Sequence, residues 1–341
     1  VAGTLADRHG TQEAGKRRAA LICGSVAFDT IMVFNDRFRN HILPDKIHVL
    51  SVSFLVPQMR REYGGCAGNI AYNVKLLGDV GYPMATVGRD FGLYREWLGQ
   101  TGVPADYIKV IESENTAQAF ITTDLDDNQI AAFHPGAMQH SHANRVTDAR
   151  PAGREIALGI VAPDGRDGMV QHAEQFAAAG IPFIFDPGQG LPMFGGEDLE
   201  RFVEQATWVA LNDYEWQLVQ QKTGWTVRDV TRRVKALIVT RGASGSTIYT
   251  QDAELVIPCA KPKAVVDPTG CGDAYRAGLL HGLLHNLDWE STGRIASLMG
   301  ALKIESRGTQ NHRFTPAEFE QRFIESFGPE AWSSIQSTSR R

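Results

Sequence analysis

Residues 265–278 read VVDPTGCGDAYRAG. Val265 and Val266 are apolar and β-branched, which predicts the end of a strand. Asp267-Pro268 turns the chain, and Gly270, Cys271 and Gly272 carry little side chain to keep a ligand off the backbone. Asp273 then opens a stretch with small or apolar residues at Ala274, Ala277, Gly278 and Leu279, the spacing of a helix face. Strand, tight loop and helix N-terminus in that order turn bare N–H groups outward, and such a place binds anions.

Two readings of that turn are open. In one it is a plain loop with Asp273 as the helix N-cap. In the other the amides of Gly270, Cys271 and Gly272 form an anion hole for a transferring phosphoryl group. Asp273 then accepts the proton of an attacking hydroxyl.

Outward from this turn, the second half of the chain has a regular rhythm. The apolar runs IALGIVAP, PFIFDPG, WVALN and ALIVT alternate with helical patterns from about residue 156 onward. Repeated βα alternation predicts a parallel sheet with helices on both faces. AALICGSVAF (19–28) reads as one more buried strand, ending beside Asp29, and GCAGNIAYNVKLLGD (65–79) as a helix stopped near Gly78. Two stretches break the rhythm. IMVF, KIHVLSVSF and MRREY within 30–63, and AQAFITTDLDDNQIAAFH within 116–135, alternate apolar and polar residues. They predict antiparallel strands of a small sheet covering the site.

The expected organisation is a flexible tail over 1–18 and an α/β core over 19–29, 64–115 and 136–326. A β lid takes up 30–63 and 116–135, and a second tail 327–341. The formal net charge of -5 leaves no basic footprint for nucleic acid. The four cysteines show no metal-binding spacing, which points to a reducing cytoplasm, and no apolar run is long enough to span a membrane.

Three further pieces carry chemistry. LNDYEW places Asn212 and Glu215 three residues apart at a helix start, suited either to capping or to holding the waters of a hydrated Mg²⁺. VTRGASGS puts Thr240, Gly242 and Gly245 at a strand's carboxyl end, where open α/β sheets bind ligands. GGCAGN, with Gly64, Gly65 and Asn69, joins an alternating strand to a helix, and with Asp29 it offers polar groups for vicinal hydroxyls. Neither GxxxxGK[ST] nor GxGxxG occurs.

EYGGCAGNIAYNVKLLG and VVDPTGCGDAYRAGLLHG, with LNDYE and VTRGASGS between them, resemble the signatures of the ribokinase-like (PfkB) carbohydrate kinases, in particular the bacterial adenosine or nucleoside kinase branch. The resemblance runs from residue 19 to about 325. It implies a three-layer α/β/α sandwich with a small β lid and an ATP- and Mg²⁺-dependent kinase, acting as monomer or homodimer. It implies Asp273 as base, Gly270–Gly272 as anion hole, and Asp29, Gly65 and Asn69 as sugar ligands. Asn212 and Glu215 become the Mg²⁺-water element, while Thr240 and Gly242 lie near the ATP phosphates. Many such proteins bind a monovalent cation, for which Asp267, Ser306 and Gly308 are the expected neighbourhood, with K⁺ as the ion. Cys271 stands where many relatives have Ala, and a thiol there would invite alkylation.

For the acceptor, the lid's Phe34, Phe38, Phe54, Leu55, Met59, Phe120 and Phe133 form an apolar set suited to a purine or simply to the sheet's own packing. FHPGAM (133–138) resembles bacterial nucleoside kinases and puts Phe133 and His134 near the base. The expectation is phosphorylation of a purine nucleoside on its 5′-hydroxyl. The alternatives are ribokinase or another sugar kinase, or a nucleoside-binding protein without catalysis.

Overall fold

The computed structural model describes residues 16–42, 51–126 and 128–338. The strands are β1 (Arg17–Cys23), β2 (Ala27–Val33), β3 (Gln58–Gly64), β4 (Gly81–Gly88), β5 (Tyr107–Ile111), β6 (Ala117–Thr123) and β7 (Gln129–His134). They continue with β8 (Arg154–Val161), β9 (Phe183–Phe185), β10 (Trp208–Asn212), β11 (Ala236–Thr240), β12 (Ser246–Tyr249) and β13 (Glu254–Ile257). The helices are α1 (Cys66–Leu76), α2 (Gly92–Thr101), α3 (Arg166–Ala178), α4 (Gly196–Gln205) and α5 (Asp213–Thr223). After them come α6 (Val227–Thr231), α7 (Cys271–Leu284), α8 (Trp289–Ile304), α9 (Pro316–Phe327) and α10 (Pro329–Thr338).

Nine strands form one sheet in the order β13-β12-β11-β10-β9-β8-β1-β4-β5, and four form a second in the order β3-β2-β6-β7. In the large sheet only β12 and β13 run antiparallel to their neighbours. Successive residues of β1 serve opposite faces, as a pleated strand requires. Ala20 and Ile22 join a core with Ile70 and Val74 of α1 and Leu280 of α7. Leu21 and Cys23 join a second with Phe176 of α3 and Phe202 of α4. Helices therefore cover both faces, the expected three-layer sandwich. At the far end of α7 from the site, Asp79 accepts hydrogen bonds from His281 Nδ1 (2.7 Å) and His285 Nε2 (2.9 Å), tying that helix to the entry of β4.

Four expectations need correction. The run 19–28 is two strands: at Gly24-Ser25-Val26 the chain leaves the large sheet, and Ser25 N–H donates to Pro163 O. Asp29 thus lies inside β2 of the small sheet, not behind a core strand. Val265 and Val266 belong to no strand, because the N–H groups of Val266 and Asp267 both donate to the carbonyl of Ile304 at the end of α8. KIHVLSVSF forms no strand over 51–54, and its first five residues lie outside the described residues.

The expected tails also differ. Residues 1–15 lie outside the described residues, and Arg17 and Arg18 already belong to β1. The second tail contains helix α10, whose Trp332 and Ile335 are buried with Phe319 and Phe323 of α9. Pro329 in its first turn and apolar residues three apart were the signals. A Ser/Thr-rich composition hid them.

Candidate active site

The carboxyl ends of the parallel strands and the N-terminus of α7 converge. Asn212 ends β10 and is in register with Thr240 at the end of β11, whose hydroxyl donates to Leu211 O. Asp186 follows β9. Helix α7 begins after Gly270, which adopts the left-handed conformation (φ 79°) and faces Thr309. A side chain there is strained whatever the space. Gly272 is exposed in the first turn, where N–H groups lack intrahelical partners. Cys271 differs from the expected anion hole, since its own N–H donates to Pro268 O at 3.2 Å. Burial pushes its thiol up to about 11, so it is no reactive thiolate at neutral pH.

Asp273 and Asn69 come together across the cleft, with Asn69 Nδ2 donating to Asp273 Oδ2 at 2.8 Å. The amide is itself oriented: Gln310 Nε2 donates to Asn69 Oδ1 (3.0 Å), and Trp97 Nε1 donates to Gln310 Oε1 (2.9 Å). Burial pushes the Asp273 pKa up to about 7. The hydrogen bond from Asn69 opposes this, the negative charge of Asp186 adds to it, and the Arg276 cation opposes it. This carboxyl is poised for proton transfer near neutrality, whereas the motif alone carried no expectation of a raised value.

Asp29 lies on β2 in register with Glu62 of β3 on one side and Ala119 of β6 on the other, and Ala119 pairs with Phe133 of β7. Paired residues point to the same face of a sheet, so Glu62, Asp29 and Phe133 form one row. His134 falls in the next row, with Phe28 and Gln118, on the opposite face. Phe133 and His134, both expected near the base, thus point to opposite faces of the sheet. Burial, then Glu62 and Asp267, raise the Asp29 pKa to about 6. Gly64 leaves room for that carboxylate, since a Cβ would sit 2.6 Å from Asp29 Oδ2. Gly65 (φ 84°) packs against the Ser25–Ala27 backbone and starts α1, four residues ahead of Asn69.

Of the lid aromatics, Phe34, Phe38 and Phe54 pack on one another, with ring centroids 4.8 to 5.9 Å apart. Phe133 stays 53% exposed and open to a ligand.

Asn212 and Glu215 form a reciprocal capping box: Asn212 N–H donates to Glu215 Oε2 (2.8 Å), and Glu215 N–H donates to Asn212 Oδ1 (2.7 Å). Burial and the charge of Asp186 raise the Glu215 pKa. Gly242 is exposed in a tight turn, whereas Gly245 is buried, and a Cβ there would meet Ile257 O at 2.2 Å. Gly245 shapes the loop and offers no surface to a ligand.

Asp267 uses its carboxylate to hold two backbone N–H groups, those of Thr269 and Gly308 (both 2.9 Å). Burial pushes its pKa up, and these hydrogen bonds more than offset that, leaving it below the usual carboxylate range. Its carbonyl and that of Ser306 both accept from Lys303 Nζ.

Four residues at the candidate site escaped the sequence reading. Asp186 and Arg276 form a buried bidentate pair (3.0 and 3.1 Å) beneath Asp273. Their signals were an Asp straight after a strand and an Arg one helical turn past Asp273. Gln310 and Lys303 gave no signal, because their partners lie far along the chain.

A nine-stranded α/β sheet with a four-stranded cover, and an acid at a Gly-bounded helix start between them, define a sugar- or nucleoside-phosphorylating class. The chain belongs to the pfkB family carbohydrate kinases, whose family profile matches residues 29–316. It is a phosphotransferase with an alcohol acceptor and ATP as donor. Within the family, a nucleoside kinase of Methanocaldococcus jannaschii is 33% identical over 265 residues, covering 77% of this chain and 85% of its own. A nucleoside kinase of Methanothermobacter thermautotrophicus is 31% identical over 317 residues, covering 92% and 98%. The structure of Burkholderia thailandensis nucleoside kinase in complex with inosine matches with a TM-score of 0.81 and 52% identity, covering 91% of this chain and 98% of that one.

Proposed function

We propose that the protein transfers the γ-phosphate of ATP to the 5′-hydroxyl of a purine nucleoside. The observation that carries this reading is the position of Asp273, in the first turn of α7 with its carboxylate held by Asn69 Nδ2 at 2.8 Å. In the reaction the 5′-oxygen attacks the γ-phosphorus as the bond to the bridging oxygen of ADP breaks, and Asp273 takes the hydroxyl proton. The Gly272 and Asp273 amides at the dipole's positive end stabilise charge on the phosphoryl oxygens.

Asp29, with Gly64 against its carboxylate and Gly65 following at the start of α1, binds the ribose hydroxyls. Asn69 bridges sugar and base, and Phe133, in Asp29's row, stacks on the purine. Asp186 already pairs with Arg276, so Glu215 and Asn212 are the oxygen donors at this corner, and the negative potential that Asp186 adds at Glu215 is one a hydrated divalent cation would relieve. These residues fit Mg²⁺, which when bound neutralises charge on the ATP phosphates. That a relative's structure holds inosine supports a purine acceptor.

The test is ADP release from Mg·ATP with adenosine, inosine, guanosine, ribose or fructose 6-phosphate, with Asp273→Asn as blank. A purine nucleoside is expected to give the highest kcat/KM. A win by ribose overturns the role of the base, and turnover in the blank overturns the role of Asp273.

A further inference from the structure

Lys303, in the last turn of α8, has no exposed surface, yet its ammonium is held by backbone carbonyls: Asp267 O at 2.7 Å and Ser306 O at 3.3 Å. Removing an ammonium from water costs several kcal/mol unless the surroundings compensate. Burial lowers the Lys303 pKa, and the negative charges of Asp267, Asp273 and Glu62 oppose that. All three flank the candidate site. The loop that the lysine grips is tied down at other points as well. Thr269 and Gly308 N–H hold the Asp267 carboxylate, and Ile304 O takes the N–H groups of Val266 and Asp267. Three residues beyond Asp267 is Gly270, where α7 begins.

Carbonyl oxygens converging on one buried positive charge are also what a dehydrated potassium ion requires. We infer that Lys303 is an internal cation that locks the Asp267–Gly270 loop and aims the first amides of α7, so that the enzyme works without an added monovalent cation. The lysine acts as a positioning residue, through the loop and through its field at the phosphoryl group. The expected K⁺ at Asp267, Ser306 and Gly308 is thereby replaced by a side chain. This inference rests on the kinase reading of the site.

The test compares wild type and Lys303→Ala in tetramethylammonium, sodium, potassium and ammonium chlorides at constant ionic strength, by initial rate and by melting temperature. Wild type is expected to show the same rate and melting temperature in all four. The variant should be ~10²-fold slower in tetramethylammonium, the size of a lost preorganised electrostatic contact. Potassium or ammonium should restore most of that rate and raise the variant's melting temperature, since an ion that binds only the folded chain stabilises it. Wild-type stimulation by potassium overturns the inference, as does a variant whose rate and melting temperature ignore every cation. A wild type inactive on every acceptor would sink the kinase reading instead, and a potassium-dependent melting shift confined to the variant would still support the lysine.

Discussion

The two sheets meet at one site but are built on different terms. Strands β9, β10 and β11 of the large sheet are buried along nearly their whole length, with polar groups only at their carboxyl ends. Strand β7 of the small sheet is exposed at every residue, and β6 is mostly half-buried. Close packing holds the groups on the large sheet and α7 in fixed places. The small sheet presents a row that runs from half-buried Glu62 and Asp29 to exposed Phe133. On the proposed function, turnover belongs to the rigid side and acceptor choice to the open side.

The largest effect should come from the rigid side. Asp273→Asn is expected to lower kcat by ~10² to 10⁴, a usual size for a lost general base, while the ADP dissociation constant stays put. Equal losses in kcat and nucleotide affinity would break the division. Next, Asp29→Ala on the open side should cost about 10²-fold in kcat/KM through KM, as two charge-assisted hydrogen bonds are lost. A fall in kcat at saturating nucleoside would place Asp29 among the turnover groups.

Smaller still, Phe133→Ala should reduce the preference for inosine over ribose by about 10-fold, the worth of one stacking contact. His134→Ala, on the opposite face, should leave that ratio unchanged. The smallest effect concerns stability. The folded Asp273 binds its proton more tightly than an unfolded Asp, so its contribution to stability declines as pH rises from about 4 towards 7. Asp273→Asn should therefore melt about 2–4 °C above wild type at pH 8, with little difference at pH 4. The same titration predicts a wild-type kcat/KM that climbs through about pH 7.

Much of this was legible in the sequence. The βα rhythm announced the large sheet, and the two alternating patches announced the small one, because strand period and burial are written locally. The GGCAGN and GCGD turns picked out Asn69 and Asp273, though not the hydrogen bond between them. What escaped was set by distant partners. Val265 and Val266 look like strand residues until Ile304 takes their neighbouring N–H groups. The capping role of Glu215 and its charge beside Asp186 coexist, so the two readings of LNDYEW were never exclusive. His134 and Phe133 are adjacent in sequence, and only register separates their faces. The salt-bridged Arg276 and the buried Lys303 need the folded chain to become meaningful.

One junction ties the two sheets together. Strand β3 ends at Gly64, Gly65 turns the chain, and α1 starts at once, with Asn69 in its first turn and its amide on Asp273. The backbone that ends the acceptor-side sheet therefore begins, one residue later, the helix whose amide lowers the proton affinity of Asp273. A side chain at Gly64 would press on the Asp29 carboxylate, and one at Gly65 would disturb the start of the helix that carries Asn69. Two neighbouring glycines thus sit under both halves of the site.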